Sequence, residues 1–140
     1  MSGIDSFFFK MWDPVNSVKK NIEKWTPDEK LSSEAECEKI LTSHLVECYP
    51  NLLIRNQFPY DRVKADIVIE KTVAIELKYK LKDGNEFNRL LGQIDHYQDW
   101  GINLIVVIIG DILSDYAHRI KKKLSQLWEE GEFAYVNKLI

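Results

Sequence analysis

Asp66, Glu76 and Lys78 are the charged members of two otherwise apolar runs, Ala65-Asp66-Ile67-Val68-Ile69 and Val73-Ala74-Ile75-Glu76-Leu77-Lys78. Side chains alternate across a strand, so Glu76 and Lys78 share a face with Ala74 and Lys80, while Val73, Ile75, Leu77 and Tyr79 take the other. If the connection is Glu70-Lys71-Thr72, or a two-residue turn with a bulge, Ile69 pairs with Val73 and Asp66 falls opposite Glu76. Facing side chains in such a pair lie roughly 5 Å apart at Cβ, where two carboxylates repel unless a cation separates them. A divalent ion meets that need, because Mg²⁺ prefers oxygen ligands, commonly takes one or two carboxylates and keeps positions for water and phosphate oxygens. An ion held there would acidify water and neutralise charge growing on a phosphodiester, with Lys78 orienting the water or screening that charge. A Glu-x-Lys tripeptide alone is common on solvated strand faces. The apolar flanks and Asp66 set this one apart, since charge in a buried hairpin is costly unless it is paired or metal-bound.

The elements that must position these groups are legible from periodicity. Ser33-Glu34-Ala35-Glu36 is a capping-box pattern, and Cys37, Ile40, Leu41, His44, Leu45 and Cys48 recur at helical spacing, which predicts a helix over 34–49 that stops before Pro50. Strands are predicted over 52–58, 65–69 and 73–79, with Pro59-Tyr60-Asp61 as a turn. Asp83-Gly84-Asn85 opens a helix carrying Phe87, Leu90, Leu91, Ile94 and Tyr97 on one face and ending near Gly101. The run 103–109 lacks alternation, as a strand buried on both faces does. A helix over 112–129, with Asp111 as its cap, and a short strand over 133–136 complete an αβββαβαβ order: an α/β fold with a mixed central sheet flanked by helices. Residues 1–32 form an aromatic N-terminal segment, with Phe7, Phe8, Phe9, Trp12 and Trp25, suited to a short helix packed on the domain or to a partner or dimer contact, and 33–140 form the main domain.

On these residues the chain resembles the PD-(D/E)XK nuclease superfamily, which shares a restriction-endonuclease-like αβββαβ core. Asp66 matches the first acidic position of the motif, with Ala65 where Pro is common, and Glu76-Leu77-Lys78 matches the (D/E)XK element. Gln93-Ile94-Asp95-His96-Tyr97 matches the Gln-x-x-x-Tyr element of RecB-type members, whose two named residues share a helix face at i, i+4. The resemblance implies a Mg²⁺-dependent nuclease, with Mn²⁺ able to substitute, acting on nucleic acid and foremost on DNA. It implies Asp66, Glu76 and the Leu77 carbonyl as metal ligands, Lys78 and Gln93 in the catalytic centre, and Tyr97 contacting nucleic acid or packing nearby. Lys80 and Lys82 join Tyr97 as the expected nucleic-acid contacts. Many members add a Glu from the first helix. The apolar stripe puts Glu34 nearest the core, Glu38 next and Glu36 facing away, so Glu34 is taken, with Glu38, or no residue of this helix, open as the alternative. The rival reading is a catalytically inactive protein of the same fold that binds nucleic acid or a protein partner.

Composition bounds these readings. The 140 residues, 45% of them hydrophobic, suit one domain with a true core. The net charge of -3 gives no general affinity for nucleic acid, so local clusters must supply it: Lys19, Lys20 and Lys24; Lys78, Lys80 and Lys82; Arg119 and Lys121 to Lys123. Cys37 and Cys48 lie on the first predicted helix, roughly 16 Å apart along its axis, where a disulfide cannot close. Reduced thiols, the lack of a basic leader and the lack of a membrane-length apolar run predict a cytoplasmic protein, alone or as a homodimer or part of a larger complex.

Overall fold

The computed structural model describes residues 3–27 and 30–139. The element order is α1 (Gly3–Met11), α2 (Pro14–Lys24), α3 (Glu34–Cys48), β1 (Ile54–Tyr60), β2 (Val63–Ile69), β3 (Val73–Tyr79), α4 (Gly84–Trp100), β4 (Asn103–Ile109), α5 (Ser114–Leu127) and β5 (Phe133–Lys138). The strands form a five-stranded mixed sheet in the order β1-β2-β3-β4-β5. The β1–β2–β3 meander is antiparallel, and the pairings of β3 with β4 and of β4 with β5 are parallel. Each parallel step is bridged by a helix, α4 and then α5, as parallel neighbours require.

Two apolar cores lie on opposite faces of this sheet. Phe9, Val15, Val18, Ile22, Cys37, Leu41 and Leu45 of α1 to α3 pack on Ile67, Ile69, Val73, Ile75, Leu77 and on Ile105, Val107 and Ile109 of β4. Phe87, Leu90, Ile94 and Tyr97 of α4, with Ile120 and Leu124 of α5, pack on Val68, Ala74 and the even-numbered residues of β4. The uninterrupted apolar run of β4 is therefore buried on both sides, as its sequence requires. The N-terminal stretch forms two helices, and α2 closes the first core over β4 and β5, so its apolar residues serve this domain; Phe7, Phe8, Met11 and Trp12 remain exposed.

Local signals set most boundaries. Ser33 caps α3, accepting a hydrogen bond from the Glu36 N–H at 3.1 Å. Glu36 completes the cap through Ser32, whose hydroxyl donates to its carboxylate at 2.8 Å, in place of the reciprocal bond expected of a capping box. Asp83 caps α4, and Gly101, at φ 79, ends it. Asp111 is not a cap: the residue at that position of α5 is Leu113, with no side-chain hydrogen bond. Pro59 does not end β1, which runs on to Tyr60, because β1 is an edge strand and an edge tolerates a missing N–H. The turn comes at Asp61, φ 52. Between β2 and β3, Glu70 and Lys71 both have φ 51, and Thr72 donates its N–H to the Ile69 carbonyl, a type I′ turn followed by one bulged residue. That connection fixes the register Ile69↔Val73, Val68↔Ala74 and Ile67↔Ile75.

Candidate functional site

Extending that register by one step puts Asp66 opposite Glu76, but the backbone ladder ends at Ile67↔Ile75. Beyond it the Asp66 carboxylate accepts the Leu77 N–H at 2.7 Å, a bond that a backbone carbonyl would make in a continued ladder. The cause lies one strand further out. Every β1–β2 rung from Ile54↔Ile69 to Tyr60↔Val63 is present except the one that would join Gln57 to Asp66. Gln57 has φ 48, a left-handed conformation costly for a side-chain-bearing residue. Both strands reverse faces there. Ile54 and Ile67 pack with α1 to α3, whereas Phe58, Val63 and Ala65 pack with α4 and α5, where Phe58 and Tyr60 stack on Trp100 at 5.7 and 4.8 Å.

Glu76 follows Ala74 onto the α4 face and is 2% exposed. Two groups hold its carboxylate: the Tyr97 hydroxyl donates at 2.6 Å to Oε1, and the Lys78 ammonium stands 3.3 Å from Oε2. Burial and the neighbouring Asp66 push the Glu76 carboxyl up to about 8, against the lowering effect of Lys78 and Tyr97. Burial, then Glu76, also raises the Tyr97 phenol, which therefore stays a hydrogen-bond donor. Asp66 is raised by burial in spite of the Leu77 N–H, Lys78 and Gln57, all of which favour its charged form.

Carboxylates from α3 reach the same place from the other layer. Glu34 accepts the Tyr79 N–H at 3.3 Å; burial raises its carboxyl, Lys78 lowers it and Asp66 raises it again. Glu38, likewise raised by burial and then by Asp66, accepts from Asn56 at 3.0 Å and from Gln57 at 2.8 Å. The same Gln57 amide donates to Asp66 at 3.2 Å and so ties Glu38 to it. Both candidates from the first helix thus belong to the neighbourhood, Glu34 on the Lys78 side and Glu38 on the Asp66 side.

The remaining expected residues fall differently. Tyr97 is fully buried, packed among the apolar residues of the α4 and α5 side, and donates a hydrogen bond to Glu76. Gln93 lies one turn before Tyr97 on α4, and its Oε1 is buried with no hydrogen-bond partner among the described residues. Lys80 and Lys82 are exposed, Lys80 with its ammonium 5.2 Å from the centroid of the Tyr79 ring. Leu77 sends its side chain into the α1 to α3 core and its N–H to Asp66. A strand residue directs N–H and C=O to the same edge, so its carbonyl opens toward β2 as well. Gln57 and Asn56 were not singled out in the sequence. Their only signal is two adjacent amides in a strand, one of which comes to face Asp66 when the β1–β2 register is drawn.

Among the described residues no group of three or more His, Cys, Asp or Glu side chains stands ready to ligate an ion. The pair of carboxylates at the end of the β2–β3 ladder, Asp66 and Glu76, offers the oxygen ligands a hard divalent cation prefers, and the Lys78 ammonium stands 3.3 Å from Glu76. Comparison with protein-family models, with curated proteins and with solved structures gives no match.

Proposed function

We propose that this chain is a metal-dependent nuclease that hydrolyses phosphodiester bonds of nucleic acid, with DNA as the expected substrate. The observation that carries the proposal is the buried Glu76 carboxylate, held between Tyr97 and Lys78 beside Asp66 where the β2–β3 ladder stops. A buried carboxylate costs several kcal/mol to charge, and a fold seldom keeps one that does no work. Asp66, Glu76 and the Leu77 carbonyl would hold Mg²⁺ or Mn²⁺. Such an ion supplies Lewis-acid chemistry, acidifying water and neutralising charge on the phosphodiester. Tyr97 fixes the rotamer of Glu76, and the Leu77 N–H fixes that of Asp66, so both carboxylates are oriented before any ligand arrives. Lys78 sits at the mouth of the pair, 16% exposed, where its ammonium can orient a water and balance charge on a phosphate. Lys80 and Lys82 lie exposed just beyond it to meet the backbone of the substrate.

A second reading has its own observation. The Glu76 carboxyl already has protein partners at both oxygens, Tyr97 at 2.6 Å and Lys78 at 3.3 Å, as in a nuclease fold that binds nucleic acid or protein without cutting. One experiment separates the two. Supercoiled, linear and single-stranded DNA are incubated with the protein and Mg²⁺ or Mn²⁺, beside Asp66→Asn and Glu76→Gln. Cleavage by the parent that is lost in both variants is the expected result. Binding without cleavage under every condition favours the second reading, and cleavage that survives both substitutions refutes the first.

A further inference from the structure

The far edge of the sheet, remote from Asp66 in strand order, carries a different kind of site. In β5 the even-numbered residues serve the ladder: Leu104 donates to the Glu132 carbonyl and Gly110 to the Lys138 carbonyl. Strand alternation then points the N–H and C=O of Phe133, Tyr135 and Asn137 outward, and none of these groups makes a backbone hydrogen bond among the described residues. The open edge runs along a groove of about 1110 Å³ lined by α2 on one side and α5 on the other. Lys19, Lys121 and Lys122 line it against two acids, Asp13 and Glu130, and none of these lysines has an ion pair among the described residues. The Tyr135 hydroxyl is buried there with no partner among the described residues, its ring 5.1 Å from the Lys121 ammonium.

We infer that this groove takes an extended acidic peptide segment of a partner protein, which adds to β5 as a sixth strand. The edge offers donors and acceptors in alternation, which matches another polypeptide backbone. Nucleic acid is a poorer match, because phosphates only accept and would face the carbonyls of Phe133, Tyr135 and Asn137. A second copy is disfavoured by charge, since edge-to-edge pairing would bring the same three lysines of each protomer together. Acidic side chains on the added strand would meet Lys19 on α2 and Lys121 and Lys122 on α5. This inference uses none of the residues of the candidate site, Asp66, Glu76, Lys78, Lys80 and Lys82, and gives Lys19, Lys121 and Lys122 a peptide rather than a nucleic acid to meet.

The test uses the full chain, isotope-labelled for amide NMR, and a blocked peptide of sequence Thr-Glu-Glu-Val-Glu-Glu-Val-Glu-Thr, which presents acids on both faces of the added strand, with a counterpart carrying Lys in place of Glu. The acidic peptide is expected to shift the amides of Phe133, Tyr135 and Asn137, protect them from exchange, and bind at least about tenfold more tightly than the basic one at low salt. Lys121→Glu combined with Lys122→Glu should reverse that preference. Tyr135→Pro removes one outward N–H while sparing the ladder to β4, and should weaken binding about tenfold. The inference is overturned if the acidic peptide leaves those amides unmoved at about 1 mM, the weak end of measurable affinity. It is equally overturned if the free protein already protects them in a dimer, or if a single-stranded oligonucleotide displaces the peptide from them.

Discussion

Replacing Tyr97 by Phe deletes a single oxygen, and the structure assigns that oxygen one partner, Glu76 Oε1 at 2.6 Å. Tyr97 is 0% and Glu76 2% exposed, so water cannot take the vacated place without rearrangement. Removing one partner of a buried hydrogen bond and leaving the other unsatisfied costs about 1 to 3 kcal/mol. The ring itself stays, so its packing against α5 and the sheet is kept and no large cavity term is added. Unfolding entropy near 2.1 cal/mol/K per residue amounts to about 0.3 kcal/mol/K for a chain of this size, so the melting temperature should fall by about 3 to 10 °C. Thermal unfolding followed by circular dichroism measures this in the metal-free protein. The decisive arm is the same substitution in a Glu76→Leu background, where the hydroxyl has no acceptor and Tyr97→Phe should be neutral or stabilising. An equal loss in both backgrounds, or a change within about 0.5 kcal/mol in the parent, would refute the claim that Tyr97 exists to hold Glu76.

Three further outcomes are expected. Lys78→Arg keeps the charge but not the compact ammonium, so on the nuclease reading cleavage at matched occupancy should drop about a hundredfold while nucleic-acid affinity holds; parental cleavage would move Lys78 out of the reacting centre. Gln57→Ala and Gln57→Gly both lose the bonds to Glu38 and Asp66, but glycine relieves the backbone at φ 48. The glycine variant should therefore be the more stable of the two by about 1 kcal/mol in denaturant titration, the reverse of the usual order inside a strand. Burial, then Glu36 and Glu34, push the Cys37 thiol up to about 11. With its folded pKa above the unfolded one, it contributes stability that is full below about 9 and lost as pH rises through 11. At pH 8 an alkylating reagent should label the partly exposed Cys48 first and Cys37 only on unfolding; equal labelling in the native protein would contradict this burial.

Much of the scaffold was legible because its signals are local. The cap at Ser33, the stop at Gly101 and the unbroken apolar run of β4 each act within a few residues, and their elements lie where the pattern puts them. The Ile69↔Val73 pairing was legible too, since the Glu70-Lys71-Thr72 connection admits few registers. Glu70 itself was not singled out: its buried carboxylate accepts the Leu53 N–H and pins the start of β1 to the turn, a contact between residues far apart in sequence. The same limit applies at the candidate site. Alternation predicts Asp66 and Glu76 as facing side chains. It cannot predict that Gln57 breaks the alternation of two strands and turns Asp66 toward the Leu77 N–H. The role of Tyr97 was open for a similar reason, because periodicity fixes which way a residue points but not whether a carboxylate is buried beneath it.

A sheet ordinarily insulates what its two helical layers carry, so that substitutions on one side add independently to those on the other. Between α3 and α4 that independence should hold over most of the sheet. It should fail at the interrupted rung, where Glu38 of α3 reaches Asp66 through Gln57 and Tyr97 of α4 reaches Glu76. Paired core substitutions, one in each layer, should therefore add, whereas paired substitutions among these few polar residues should not. The break in the ladder makes Glu38, Gln57, Asp66, Glu76 and Tyr97 a seam through which the two layers of an otherwise divisible fold communicate.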